Sequence, residues 1–188
     1  MKKKLLSLAL ACAMALGLAA CGQTAPAASG STPGSASSEG GKVYQVGVIQ
    51  LVQHPALDAA TQGFVDVLKE KLGDQVNVTV QNAANDSATC STMATQMVSS
   101  NVDLIMTNAT PALQAAASAT SEIPILGTSV TEYGVALSID DFNGTVGGNI
   151  SGTSDLAPLD QQAAMVTELT PAAKTAGILY CSGEPNSV

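Results

Sequence analysis

Short apolar runs alternate with amphipathic helical patterns over residues 45–126, and this alternation constrains the fold more than any other feature. Each run is rich in Val, Ile or Leu, which is typical of a strand buried on both faces. The predicted strands lie at 45–50, 76–80, 102–106 and 123–126. Between them apolar residues recur at helical spacing, which predicts helices at 57–72, 91–100 and 112–118.

The order strand, helix, strand, repeated to a fourth strand, predicts the α/β fold class with a parallel sheet flanked by helices on both faces. Gly73 ends the first helical pattern, and Pro111 stands at the first turn of the third, where proline fits. Right-handed crossovers between the strands then follow. We assign residues 43–150 to this lobe.

The pattern changes after residue 126. Extended pieces are predicted at 135–139 and 149–150, followed by a helix at 161–169 and a strand at 175–180. A strand with no sheet to join indicates the start of a second α/β lobe. We therefore expect residues 151–188 to be a hinge and the beginning of a truncated second lobe, in an N-terminal fragment or a truncated product.

The first twenty residues have the layout of an export signal. Three lysines precede an uncharged apolar run from Leu5 to Ala20, and Leu18-Ala-Ala-Cys21 follows the small-residue rule for cleavage. This motif resembles the lipobox of bacterial lipoproteins, which implies cleavage after Ala20 and lipidation of Cys21. The alternatives are an ordinary signal with a chance cysteine, or a membrane helix, although 16 residues fall short of the roughly 20 that span a bilayer. Residues 21–42 are rich in Ser, Gly, Pro and Ala, which predicts a flexible tether.

The charge excludes some partners. The chain has no Arg, and three of its seven Lys lie in the signal, which leaves four lysines against fifteen acidic residues. Nucleic-acid binding needs clustered positive charge, so we expect none. His54 is the only histidine and no Cys/His spacing suits a metal, so we expect neither a metal nor a cofactor.

Two cysteines remain in the folded part. An exported Cys90–Cys181 pair could form a disulfide. However, Cys90 is predicted to open a helix and Cys181 to end a distant strand, which favours two small, semi-buried thiols.

The ends of the predicted strands are rich in hydroxyls and amides. In a parallel sheet, ligands bind beyond the carboxyl ends of the strands, where the following helices point free N–H groups at the same crevice. Those ends lie at 50–54, 81–86, 107–111, 127–130 and 181–187. Although any one loop can be polar merely because it is solvated, together they predict a cleft for a small polar molecule.

Four stretches at these ends resemble one known family. They are 46–58, which contains His-Pro-Ala-Leu-Asp; Ala109-Thr-Pro111; 149–155, which contains Gly-Thr-Ser-Asp; and 183–187. From about Val43 to Val188 the chain resembles the ABC-transporter substrate-binding lipoproteins of the tryptophan/tyrosine-type family.

The resemblance implies two lobes of the type I periplasmic-binding kind that close on a solute by hinge motion near residues 152–155. It implies an aromatic amino acid such as Trp or Tyr as the solute, and a membrane ABC permease as the partner. The protein would act as a monomer, held by lipid on Cys21 at the extracytoplasmic face of the bacterial membrane. The family often has an acidic residue where this chain has Gln53 and a small one where it has Pro185, so both positions bear on specificity.

Several candidate residues suit a ligand carboxylate. Thr110, Thr128 and Ser129 are hydroxyl donors beside helix N-termini. Asn186 and Ser187, across the cleft, could clamp the same carboxylate. For Thr110 and Ser129 the alternative is a local role as helix cap or turn residue.

Other candidates suit the rest of an amino acid. Asp155 and Glu184 could hold an ammonium group, although Asp155 could instead cap the next helix. His54 could stack on or hydrogen-bond the ligand, and could equally cap the turn before Pro55. The aromatic residues that could stack on an aromatic ligand are Tyr133, Phe142 and Tyr180, of which Tyr180 fits better in a core.

Two other classes of protein compete with this interpretation. An enzyme has no support, because neither a Gly-x-Ser-x-Gly elbow nor a Gly-x-x-x-x-Gly-Lys phosphate loop occurs. The second alternative is a ligand-binding sensor lipoprotein for another solute, partnered by a membrane receptor. It fits the sequence as well as a transporter component does.

Overall fold

The computed structural model describes residues 41–187; the predicted signal, Cys21 and most of the tether lie outside them. The strands are β1 Tyr44–Gln50, β2 Val76–Asn82, β3 Leu104–Asn108, β4 Ile125–Val130 and β5 Ile150–Ser154. The α-helices are α1 Pro55–Leu72, α2 Ser87–Ser99, α3 Thr110–Ala119, α4 Tyr133–Leu137 and α5 Leu159–Leu169, and short 3₁₀ turns lie at Gly73–Gln75 and Pro185–Ser187.

The strands form one parallel sheet in the order β2-β1-β3-β4-β5. The predicted α/β class is confirmed. β5 pairs with β4 and continues the sheet past residue 150.

The two faces of the sheet differ. Ile49 and Ile105 are fully buried in an apolar core that includes α2 and α3 residues such as Met97 and Leu113. The opposite face carries Gln50 and Asn108, whose side chains bond Thr61 of α1. The α2/α3 face is therefore mainly apolar, with Thr107 as a buried polar residue, whereas the α1 face becomes polar at the carboxyl ends of the strands.

Several predicted element boundaries were wrong by two to four residues. Helix α2 begins four residues earlier than predicted, because Asp86 caps it by accepting the Thr89 N–H at 2.7 Å. β3 and β4 begin two residues later than predicted and end further along the chain.

Two predicted extended segments were wrong in kind. Residues 135–139, predicted extended from their β-branched residues, lie largely in α4, because Glu132 accepts the N–H groups of Gly134 and Val135 and starts a helix. Residues 175–180, predicted as a strand, pair with no strand in the described part of the chain. There Leu179 is fully exposed and Tyr180, expected in a core, is 60% exposed.

The two cysteines of this part are free. Cys90 is fully buried as the fourth residue of α2, and Cys181 is exposed outside any strand. The prediction of separate thiols is confirmed, but the prediction that both are semi-buried was wrong. Burial raises the pKa of the Cys90 thiol.

Within residues 41–187, no helix is long and apolar enough to cross a membrane. The same residues hold no group of three or more His, Cys, Asp or Glu side chains that could bind a metal ion.

Candidate functional site

The N-terminus of α3 lies at the carboxyl edge of the sheet, directly after β3. Thr110 is its first residue and is 3% exposed, and the preceding Ala109 provides no side-chain cap. By contrast, α1, α2 and α4 are each capped by a side chain: His54, Asp86 and Glu132. Because helix N-termini favour anions, the uncapped α3 suits a carboxylate.

The segment that contains Asn186 reaches this helix end. The Asn186 amide donates to Thr110 Oγ1 at 3.3 Å, across 76 residues of sequence. The structure therefore brings together two residues predicted from separate stretches to hold one carboxylate. Ser187 is exposed and donates its N–H to the Glu184 carbonyl at 2.9 Å.

Backbone geometry marks the same edge. Ala109 has φ 89° and ψ 158°, a region that favours glycine. Its N–H donates to the Thr128 carbonyl at 3.0 Å, which ties the turn before α3 to the neighbouring strand. Ser129 also has a positive φ, of 55°. Ala109, in the turn before α3, and Ser129, at an irregularity within β4, thus adopt backbone conformations that are uncommon for residues other than glycine, as occurs where a backbone forms a site.

Thr128 lies on the α1 face of the sheet. Its hydroxyl is 3.2 Å from the Thr153 hydroxyl, and both residues line a cavity of about 330 Å³ beside Ala60 and Phe64 of α1. The cavity is lined mainly by apolar groups, with three hydroxyl-bearing residues, Thr128, Ser151 and Thr153, which suits a ligand or segment with an apolar surface.

The remaining predicted residues have local contacts. His54 Nδ1 accepts the Ala56 N–H at 3.2 Å, so the capping alternative describes its observed contact, and its ring is exposed. Glu184 accepts the Asn186 N–H at 3.2 Å. Asp155 is exposed and does not cap α5, whose cap residue is Pro158. Gln53 is exposed at the loop before α1. Ligand roles for these residues stay predictions.

Tyr133 was proposed to stack on a ligand but lies in the core. It is 5% exposed, and its hydroxyl donates to the Thr153 carbonyl at 3.3 Å. Tyr133 also lines a second cavity of about 470 Å³, together with Phe142 and Leu156. The observed contact of Tyr133 is therefore a hydrogen bond that supports β5 from within the core.

Burial, with a smaller contribution from the Asp155 charge, raises the pKa of Tyr133 to about 12. Between pH 10 and 12 the unfolded chain ionises this tyrosine while the folded chain keeps it neutral. The contribution to stability is therefore complete below pH 10 and lost as the pH rises towards 12. From pH 9 to pH 12 we expect urea unfolding of the wild type to lose about 2 kcal/mol more than that of Tyr133→Phe. Parallel pH profiles for the two proteins would contradict this expectation.

Sequence reasoning missed a buried polar group under α1. Gln50 and Asn108 are 4% and 0% exposed and end β1 and β3, where they are register partners. They join Thr61 of α1 in one chain of hydrogen bonds. The available signal was an amide as the last residue of each strand, directly after a mainly apolar run.

A parallel α/β lobe with hydroxyls and amides around an open helix N-terminus is characteristic of one half of a small-molecule binding protein. The sequence profile of the family described as ABC transporter substrate binding protein matches residues 45–188. The chain belongs to this family, whose members are extracytoplasmic binding proteins and not enzymes.

Individual relatives agree with this assignment. The chain is 38% identical over 192 residues to a tyrosine-binding protein of Clostridioides difficile (strain R20291), covering 98% of this chain and 54% of that protein. A structure described as the ABC domain in complex with L-Trp, from Streptococcus pneumonia, is 39% identical with a TM-score of 0.71; the match covers 77% of this chain and 49% of that one. A conserved domain protein from Vibrio cholerae O1 biovar eltor is 37% identical, also with a TM-score of 0.71, over 77% and 50% of the two chains. This chain thus spans about half the length of the relatives it matches.

Proposed function

We propose that this chain contains the N-terminal lobe of an extracytoplasmic solute-binding lipoprotein of an ABC importer, and that its solute is an aromatic amino acid such as tyrosine or tryptophan. Two relatives whose descriptions name these amino acids support the choice of solute. The lobe captures the solute against a second lobe and delivers it to a membrane permease. Lipid on Cys21 and the tether at 21–42 keep the protein near that permease, which raises the effective concentration.

The observation that carries this proposal is the open N-terminus of α3. Thr110 and Asn186 meet there, and no side chain caps the helix. With no Arg in the chain, a carboxylate has to be held by N–H groups, hydroxyls, amides or a lysine such as Lys174; the first three are the groups present at this position. Asp155 and Glu184 are the proposed partners of the ammonium group. His54, Gln53, Thr128, Ser129 and Ser187 complete the proposed site.

Because capture needs both lobes, the proposal is tested by thermal shift of the protein from residue 22 extended through the second lobe, with L-tyrosine, L-tryptophan and L-phenylalanine, and with L-alanine as the matched control. A solute at ten times its Kd stabilises the fold by about 1.4 kcal/mol. We expect a shift with the aromatic amino acids and none with L-alanine. If no aromatic amino acid shifts the Tm of a cooperatively folding chain, the solute assignment is wrong.

The role of α3 is tested separately with tyramine, which keeps the phenol and the ammonium of tyrosine but lacks the carboxylate. We expect tyramine to give no shift where L-tyrosine gives one. An equal shift with both compounds would show that the carboxylate contributes nothing to binding, which would contradict the role of α3.

A further inference from the structure

A chain of buried hydrogen bonds links the central strands to α1. Asn108 donates to Thr61 Oγ1 at 2.9 Å and to the Leu57 carbonyl at 2.8 Å. Thr61 in turn donates to Gln50 Oε1 at 2.6 Å. Both amide hydrogens of Asn108 and the hydroxyl hydrogen of Thr61 are therefore committed to this chain.

The chain of bonds ends at the loop that precedes α1. Gln50 Nε2 donates to the Val52 carbonyl at 2.9 Å and to Asp58 Oδ1 at 2.6 Å. The backbone of the loop is tied down as well: the Leu51 N–H donates to the Asn108 carbonyl at 3.2 Å, and the Leu51 carbonyl accepts the Asn85 N–H at 2.7 Å. The loop that contains Gln53 and His54 is thus held from both sides.

The arrangement has a cost in stability. Oδ1 of Asn108 is buried and accepts no hydrogen bond from any described residue. A buried acceptor without a donor destabilises the folded state, whereas an apolar residue of similar shape would not carry that penalty. Asn108 therefore gives the fold little advantage in stability over an apolar residue, because the penalty of its unpaired oxygen offsets the two hydrogen bonds that its amide donates.

We propose that Gln50, Thr61 and Asn108 are positioning residues, which fix the loop at 51–54 so that Gln53 and His54 face the solute. This proposal rests on the proposed function, because it assigns these two residues to the binding cleft. The positioning residues act through the loop and touch no ligand. Their contribution is to remove loop freedom before binding, which would otherwise weaken affinity.

Thr61→Val removes the hydroxyl with little change of shape, and Asn108→Leu removes the amide. Ile125→Val is the matched control, since Ile125 is 1% exposed at the start of β4 and this change trims one methylene from the core. At a temperature where all variants are fully folded, we expect about fivefold weaker binding of L-tyrosine by both polar variants, equivalent to the loss of one hydrogen bond. Binding by Ile125→Val should be unchanged despite its lower Tm.

Two further measurements separate positioning from stability. Thr61→Ser retains the hydroxyl, so it should bind with the wild-type affinity. Asn108→Leu should weaken binding although its Tm stays close to that of the wild type. Equal affinities for the wild type and both polar variants would overturn the proposal.

Amide hydrogen exchange tests the positioning without any ligand. The N–H groups of Leu51 and Asn85 should exchange faster in Thr61→Val than in Ile125→Val. If the wild type binds none of the aromatic amino acids, the proposed function fails, and the exchange comparison alone decides whether the loop is held as proposed. Equal exchange in the two variants would overturn the positioning.

Discussion

Gly152→Ala is expected to lower the free energy of unfolding by about 3 kcal/mol. A Cβ at position 152 would meet the carbonyl oxygen of Gly127 and the hydroxyl of Tyr133. Gly127 and Gly152 are register partners in β4 and β5, so the obstructing carbonyl belongs to the sheet and has little room to move. Urea denaturation of the two proteins measures the difference.

Gly63→Ala is the matched control for this prediction. A Cβ at Gly63, inside α1, would meet nothing within 4 Å. Alanine favours a helix over glycine, so this variant should be more stable than the wild type by about 0.5–1 kcal/mol. If Gly152→Ala were tolerated as well as Gly63→Ala, the described pairing of β4 with β5 would be wrong.

Gly127→Ala isolates the steric clash with the Tyr133 side chain from the clash with the sheet backbone. Its Cβ would lie 2.5 Å from the Tyr133 hydroxyl, and its three nearest contacts all belong to Tyr133. Removing that hydroxyl should therefore reduce the stability loss caused by Gly127→Ala more than the loss caused by Gly152→Ala. A double-mutant cycle with Tyr133→Phe measures the two couplings.

Leu113→Ala should lower the free energy of unfolding by about 3–5 kcal/mol and the Tm by roughly 10 °C. Leu113 is fully buried in α3, among the apolar residues that hold this helix on the sheet. Its loss leaves a cavity beneath the helix that begins at Thr110. Calorimetry or urea denaturation measures the effect.

The control for Leu113→Ala is the same substitution at an exposed position. Leu169, in α5, is 73% exposed, and leucine and alanine have similar helix propensities. We expect Leu169→Ala to change stability by less than about 0.5 kcal/mol. A loss comparable to that of Leu113→Ala would show that α5 is buried in solution.

The elements predicted with the right type are those whose signal is local. The buried strands and the first three helices follow from residue spacing, which acts within a few residues of the chain. The two failures have different causes, one a local cap that was missed and the other tertiary. Residues 133–137 are helical because the Glu132 carboxylate caps them. Residues 175–180 form no strand because no strand of residues 41–187 pairs with them.

The candidate site shows the same division. Thr110 and Asn186 could be chosen from sequence, because each follows a predicted strand. Their contact could not, since it joins residues 76 apart. The cap by His54 was one of two equal alternatives; the structure shows the contact with the Ala56 N–H, and a ligand role for the exposed ring stays a prediction.

The sequence by itself determined the α/β class, the alternation of elements and the edge of the sheet where a ligand site would lie. These properties depend on apolar periodicity and on the rule that parallel strands end at a common edge. Only the tertiary structure decided that Gln50, Thr61 and Asn108 join under α1, and that Tyr133 lies across Gly127 and Gly152. Such contacts depend on strand order and register, which bring distant residues within bonding distance and leave no trace in local spacing.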